Sequence, residues 1–107
     1  MRVLLDACVP RDFRHVLKGI DVVTARYAGL NTLSNGALPA AMEGKFDVLV
    51  TTDRNLRFQQ NLAGRSISVI VLRVPRNRLD DLLPLVPALI ATLRDVTPGG
   101  AREIAAQ

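Results

Sequence analysis

The sequence predicts an α/β fold in which a mostly parallel sheet of four to five strands carries helices on both faces. Three observations lead there. Short runs that are apolar on both faces recur at residues 2–5, 47–51 and 67–72, as buried parallel strands require. Segments with helical spacing of apolar residues separate them. The resulting order, β-α-β-α-β-α-β-α, suits a layered α/β domain spanning 1–107.

Each element has a local reason. Residues 2–5, RVLL, are short and apolar, hence a buried strand. Pro10 stands where a helix starts, and Phe13, Val16 and Leu17 form an apolar stripe up to Lys18-Gly19. Residues 21–25, DVVTA, predict a second strand. In LSNGALPAAMEGKF, Ser34 is the expected N-cap, Leu38, Ala41 and Met42 the inner face, and Gly44 the stop. Pro39 falls in the first turn, where a missing N–H costs least.

Residues 47–51 predict the third strand, RNLRFQQNLAG a helix closed by Gly64, and 67–72 the fourth strand. In the last apolar segment, Pro84 and Pro87 delay the regular helix to about Pro84, after an irregular or 3₁₀ turn at 79–83. That helix ends near Asp95. Beyond Pro98-Gly99-Gly100, residues 101–105 are expected to add an edge strand. The helix carries Leu82, Leu83, Leu85, Val86, Leu89, Ile90 and Leu93, a stripe wider than one sheet face needs. Packing on another subunit or a partner protein around Leu85 and Leu89 is therefore expected.

Right-handed crossovers and a doubly wound order of 2-1-3-4 place the first and third strands side by side. Both end in an aspartate, Asp6 and Asp53. The ligand crevice of such a sheet lies at the carboxyl ends where the winding reverses. Two carboxylates converging there repel each other unless a cation lies between them, and a hard divalent ion suits one or two carboxylates plus a phosphate. The competing reading is that both aspartates only cap the helices that follow.

Ser34, Asn35 and Gly36 start a helix at the same rim, and Asn35 and Asn55 are candidate hydrogen-bond donors to waters or a phosphate. Glu43, Asp47 and Asp21 belong to the opposite end or to solvated faces. Arg73, Arg76 and Arg78 follow the fourth strand, and Arg11, Arg54 and Arg57 start helices nearby. An arginine-lined rim beside paired carboxylates suits a phosphodiester backbone. Equally, an arginine-rich chain spreads such charges over its surface. His15 is expected on a solvated face. Cys8 is expected to be a small buried side chain, since no histidine is placed to activate it.

Composition excludes several classes. An apolar fraction of 49% with 22% charged residues is inconsistent with disorder. The longest apolar run, LLPLVPALIATL, is too short to span a bilayer. Asp6 interrupts the first apolar stretch, so a signal peptide is not expected, and one cysteine permits no internal disulfide. Together these favour the cytoplasm. A net charge of +4 permits nucleic-acid binding, but aromatics at 4% weigh against a base-stacking sheet surface. There is no P-loop and no G-x-G-x-x-G. A phospho-receiver domain would need a second acid beside Asp6, where Ala7 stands, and a lysine after the fourth strand.

The stretches RVLLDACVP, LNTLSNGAL, DVLVTTDRNLRFQQNL and VLRVPRNRLDDLLPLVPALIATL, in register over nearly the whole chain, resemble the short PIN-like proteins, a reduced VapC-like branch of the PIN nuclease superfamily. The resemblance implies a PIN-like three-layer sandwich and Mg²⁺- or Mn²⁺-dependent cleavage of RNA. It also implies the toxin half of a bacterial type II toxin–antitoxin pair. Its partners would then be RNA and a cognate antitoxin, with a homodimer or toxin–antitoxin assembly through the C-terminal helix. By position, Asp6 and Asp53 would be metal ligands, Asn35 and Asn55 would stand where relatives place an acid or amide, and Arg11, Arg54, Arg73 and Arg76 would hold RNA. The chain departs from the pattern at Ala7 and Ala37, where relatives usually carry acids. The alternative is a catalytically degenerate module that works by binding protein or RNA.

Overall fold

The computed structural model describes residues 1–33, 37–54, 62 and 64–105. Within them lie strands β1 (Arg2–Leu5), β2 (Asp21–Thr24), β3 (Val48–Thr51), β4 (Ser68–Arg73) and β5 (Ala101–Ala105). They form one sheet in the order β2-β1-β3-β4-β5, parallel throughout. The expected 2-1-3-4 order is thus present, extended by the expected edge strand. Short helices α1 (Leu38–Met42), α2 (Leu79–Leu82) and α3 (Val86–Leu93) accompany it.

Strand alternation divides the core into two layers. Val3 and Leu5, Val48 and Val50, and Ile70 and Leu72 face one side, where Phe13, Leu17, Leu82 and Leu89 cover them. Leu4, Leu49, Val69 and Val71 face the other, under Leu38, Met42, Phe46 and Leu62. Both faces being covered explains why the central strands are apolar at every position. The edges differ. β2 is half-buried, and in β5 only Ile104 is buried. Arg102 and Glu103 occupy the outer strand with partners at Asp95 and Arg73, which keeps that edge charged.

The first crossover departs from expectation. Residues Arg11–Val16 form a 3₁₀ helix rather than an α-helix. The backbone N–H groups of Phe13, Leu17 and Ile20 bond carbonyls three residues back. A 3₁₀ segment of six residues spans about 12 Å, against about 9 Å for an α-helix. A four-residue strand is about 13 Å tall. The tighter helix therefore carries the chain across the sheet within the short span between Asp6 and Asp21.

Other boundaries shift for similar local reasons. α1 begins at Leu38, with Ala37 at the N-cap and Pro39 in the first turn. The expected cap, Ser34, lies outside the described residues, as does most of the expected helix at 54–64. Residues 79–82 form a single α-turn, and Leu83–Leu85 a 3₁₀ turn around Pro84. α3 starts at Val86 with Pro87 in its first turn, so neither ring opposes a helical N–H.

The expected exposed stripe on the C-terminal helix is corrected. Leu85 and Leu89 are buried in this chain's own core, beside Phe13 and Ile104. The break at Pro84 turns that face inward. What the segment leaves outside is Leu83, 39% exposed, with Val86 and Ile90 half-buried. Among the described residues no helix is long and apolar enough to cross a membrane.

The amino end of the sheet is closed by ion pairs and hydrogen bonds, as expected for Asp21, Asp47 and Glu43. Arg2 bonds Asp47 through its N–H (2.7 Å) and pairs with Asp21 (3.3 Å). Glu43, capping the end of α1, accepts hydrogen bonds from the Ser66 hydroxyl and backbone N–H, with Arg65 at 3.7 Å. The hydroxyl bond above all, then the N–H and the Arg65 charge, hold the Glu43 carboxyl below its ordinary value of 4.5. A depressed folded value stabilises above the unfolded value, and that stability is lost as pH falls through the folded one. Glu43→Gln should therefore melt lower than the wild type at neutral pH, and the gap should close below the ordinary carboxylate range. Thermal melts across acid pH check this; a gap unchanged by pH refutes it.

Candidate functional site

The first and third strands do lie side by side. β1 pairs with β3 with Leu5 opposite Val50, so the chain leaves both strands at one rim. The Asp6 N–H extends that ladder to the Val50 carbonyl (2.9 Å). Asp6 directly follows the first of these carboxyl ends, and Asp53 lies two residues beyond the second.

A buried threonine joins them. Thr51, wholly inaccessible, ends β3 on the same face parity as Leu49, as Asp6 shares that of Leu4. Its hydroxyl donates to Asp6 Oδ2 at 2.7 Å and accepts the Asp53 N–H at 3.0 Å. A hydroxyl has one proton, and a carboxylate only accepts, so the donor direction is fixed. The other Asp6 oxygen, Oδ1, accepts the Ala7 N–H at 2.8 Å. Asp6 is thus locked in orientation: Oδ2 also accepts the Cys8 thiol at 3.5 Å, and Oδ1 keeps one lone pair in reserve.

Cys8 is exposed, which corrects the expected buried position. The bond from Val9 N–H to the Asp6 carbonyl (3.0 Å) makes a tight turn that gives Val9 the buried place and turns Cys8 outward. Its Sγ lies 3.5 Å from both Asp6 Oδ2 and Thr51 Oγ1, and accepts the Thr52 hydroxyl at 3.2 Å. The Asn77 amide donates to the Cys8 carbonyl, tying the segment after β4 to this turn. His15 is solvated, as expected.

The arginines divide. Arg2, Arg65, Arg73, Arg76 and Arg102 each stand 3.2–3.7 Å from an acid. Arg73 and Arg76, expected to serve RNA, are therefore matched by Glu103 and Asp81. Arg54 donates to the Val74 carbonyl at 3.2 Å. Arg11 does reach the site: it lines a cavity of about 270 Å³ with Asp6, Arg14, Thr24, Arg26 and Tyr27. A wider one of about 470 Å³ adjoins it and shares Ala7, Val9, Arg11 and Arg26. Arg14, Arg26 and Tyr27 had no sequence signal, because only the packing of the 3₁₀ helix beside the turn after β2 brings them together. Thr51 did have one, through its strand parity with Asp6.

Asn35 and Asn55 lie outside the described residues, as do Gly36 and Arg57. Among the described residues no group of three or more His, Cys, Asp and Glu converges. The oriented Asp6 carboxylate, with Asp53 following the neighbouring strand at the same rim, fits a hard divalent cation in minimal form, with water and phosphate completing its shell. No family model, curated protein or solved structure matches this chain.

Thr51→Val keeps the shape and strand preference of the side chain but removes both bonds. It should cost about 1–3 kcal/mol, because a carboxylate and a backbone N–H lose partners in a half-buried place. Thr51→Ser should recover most of this. Urea denaturation of the two variants checks it; a Thr51→Val chain as stable as wild type refutes the bridge.

Proposed function

We propose that this chain is a metal-dependent endoribonuclease with a PIN-like fold, acting in the cytoplasm as the toxin of a toxin–antitoxin pair. One observation carries the reading: Asp6 and Asp53 follow the carboxyl ends of adjacent parallel strands at the reversal of winding, and Thr51 binds to both. The parallel five-stranded sheet covered on both faces and the resemblance of the four sequence stretches support it further.

In this reading Asp6 and Asp53 hold Mg²⁺ or Mn²⁺. Such an ion supplies positive charge at the phosphate under attack and acidifies its waters. The chain's own residues do the rest. The Thr51 hydroxyl and Ala7 N–H fix the Asp6 carboxylate before any ligand arrives, which spares that ordering on binding. Arg11 and its neighbours offset the negative charge of an incoming phosphodiester.

A second reading is favoured by Ala7 and Ala37 and by the lack of a three-ligand group among the described residues. It is a PIN-like module that has lost cleavage and binds RNA or protein.

Cleavage of single-stranded RNA should require Mn²⁺ or Mg²⁺, and Asp53→Ala or Asp6→Ala should lower it by more than about 100-fold, beyond what outer-shell changes do. Cleavage that survives chelator or either substitution refutes the nuclease reading. Ala7→Glu with Ala37→Glu should tighten Mn²⁺ binding and raise cleavage, while lowering the metal-free melting temperature through carboxylate repulsion. Melting curves and cleavage assays with titrated Mn²⁺ separate the outcomes. Tighter binding without cleavage supports the binding module.

A further inference from the structure

We propose that the cavity between the turn after β2 and the 3₁₀ helix is a nucleotide subsite for single-stranded RNA. It would take one phosphate among Arg11, Arg14 and Arg26 and stack the attached base on Tyr27. The inference rests on the RNA reading above but not on metal or cleavage.

Charge is the first ground. The side chains of Arg11, Arg14 and Arg26 make no ion pair or hydrogen bond among the described residues, while five other arginines are matched by acids. Three unpaired guanidiniums facing one cavity repel each other, a cost that a bound phosphate removes. Asp6 lines the same cavity, but three cations outweigh one carboxylate.

Tyr27 is the second ground. Its ring is 84% exposed, whereas Phe13 and Phe46 are buried. The turn that presents it is rigid. Ala25 N–H bonds the Leu5 carbonyl (2.8 Å), Tyr27 N–H the Thr24 hydroxyl (3.2 Å), Ala28 N–H the Thr24 carbonyl (3.0 Å) and Leu30 N–H the Ala25 carbonyl (2.8 Å). A fixed backbone holding an exposed aromatic is a platform for an unpaired base, since every base offers a π-face. A single exposed aromatic means little alone; this one borders the cavity that collects the unpaired arginines.

Size is the third. About 270 Å³ lies near the low end for small-ligand pockets, on the order of 300 Å³, so one nucleotide fits and a duplex does not. The adjoining cavity, which shares Arg11 and Arg26, gives the strand a path onward. Asp6 lines the subsite itself, so a nucleotide held there lies against that carboxylate.

Binding of a short labelled single-stranded RNA to the full chain, followed by fluorescence anisotropy in EDTA, tests this without cleavage. Tyr27→Ala should weaken binding by about tenfold and Tyr27→Phe should not. Arg14→Ala and Arg26→Ala should each reduce the slope of log affinity against log salt by about 0.7. Arg94→Ala, an exposed arginine at the other end of the sheet, should leave affinity nearly unchanged. Duplex RNA of the same sequence should be indifferent to Tyr27→Ala. Circular dichroism confirms that each variant is folded. Wild-type affinity in folded Tyr27→Ala, Arg14→Ala and Arg26→Ala overturns the subsite, as does equal weakening by Arg94→Ala. A free nucleoside monophosphate that competes as well as the strand also overturns it. If the variants weaken binding but metal never elicits cleavage, the subsite stands and the nuclease reading falls. Metal-dependent cleavage with no effect of these variants gives the reverse.

Discussion

The parallel ladder between β1 and β3 is the contact on which the rest of the molecule depends. It joins the chain's first strand to one that begins more than forty residues later, with Val3, Leu4 and Leu5 opposite Val48, Leu49 and Val50. Every one of these side chains is buried, three on each strand and on both faces. Slipping the register by one residue would exchange the two core layers and bury Asp6 in place of Leu5. Since the strands are parallel, the same ladder also determines which ends meet. Two carboxylates at one rim follow from packing that is otherwise purely apolar.

Thr51 turns this proximity into a defined arrangement. Bringing two acids to one rim costs electrostatic energy, and hydrogen bonds fix the arrangement: a hydroxyl and an N–H on Asp6, and the same hydroxyl as acceptor for the Asp53 backbone. The rim is therefore ordered at the level of the backbone as well as the side chain. Asn77 extends this order by binding the turn after β1 from the opposite side of the sheet's centre.

Charge is distributed unevenly along the strand axis. Several arginines at the amino end and along the β5 edge are paired with acids, as exposed surfaces commonly are. Around the turn after β2 and the start of the 3₁₀ helix they are not. Within a modest excess of fourteen basic over ten acidic residues, three arginines therefore share one cavity beside Asp6. A net charge alone says little about partners; its location says more.

The positions of the five strands, their order along the chain and the two terminal aspartates were legible in the sequence, because period-two burial and turn residues act over a few neighbours. Even the adjacency of the two strands that lead to Asp6 and Asp53 followed, since parallel sheets admit few windings. Tertiary structure alone decided the rest. A 3₁₀ helix replaced an α-helix because a short crossover had to span a full strand. Leu85 and Leu89 turned inward because Pro84 redirected the helix, and Cys8 turned outward because Val9 took the buried place in its turn. Which arginines stay unpaired depended on acids distant in sequence, as for Arg2 with Asp21 and Arg73 with Glu103 across neighbouring strands. Local patterns specify which faces are buried; contacts between remote segments specify which charges are left facing a cavity.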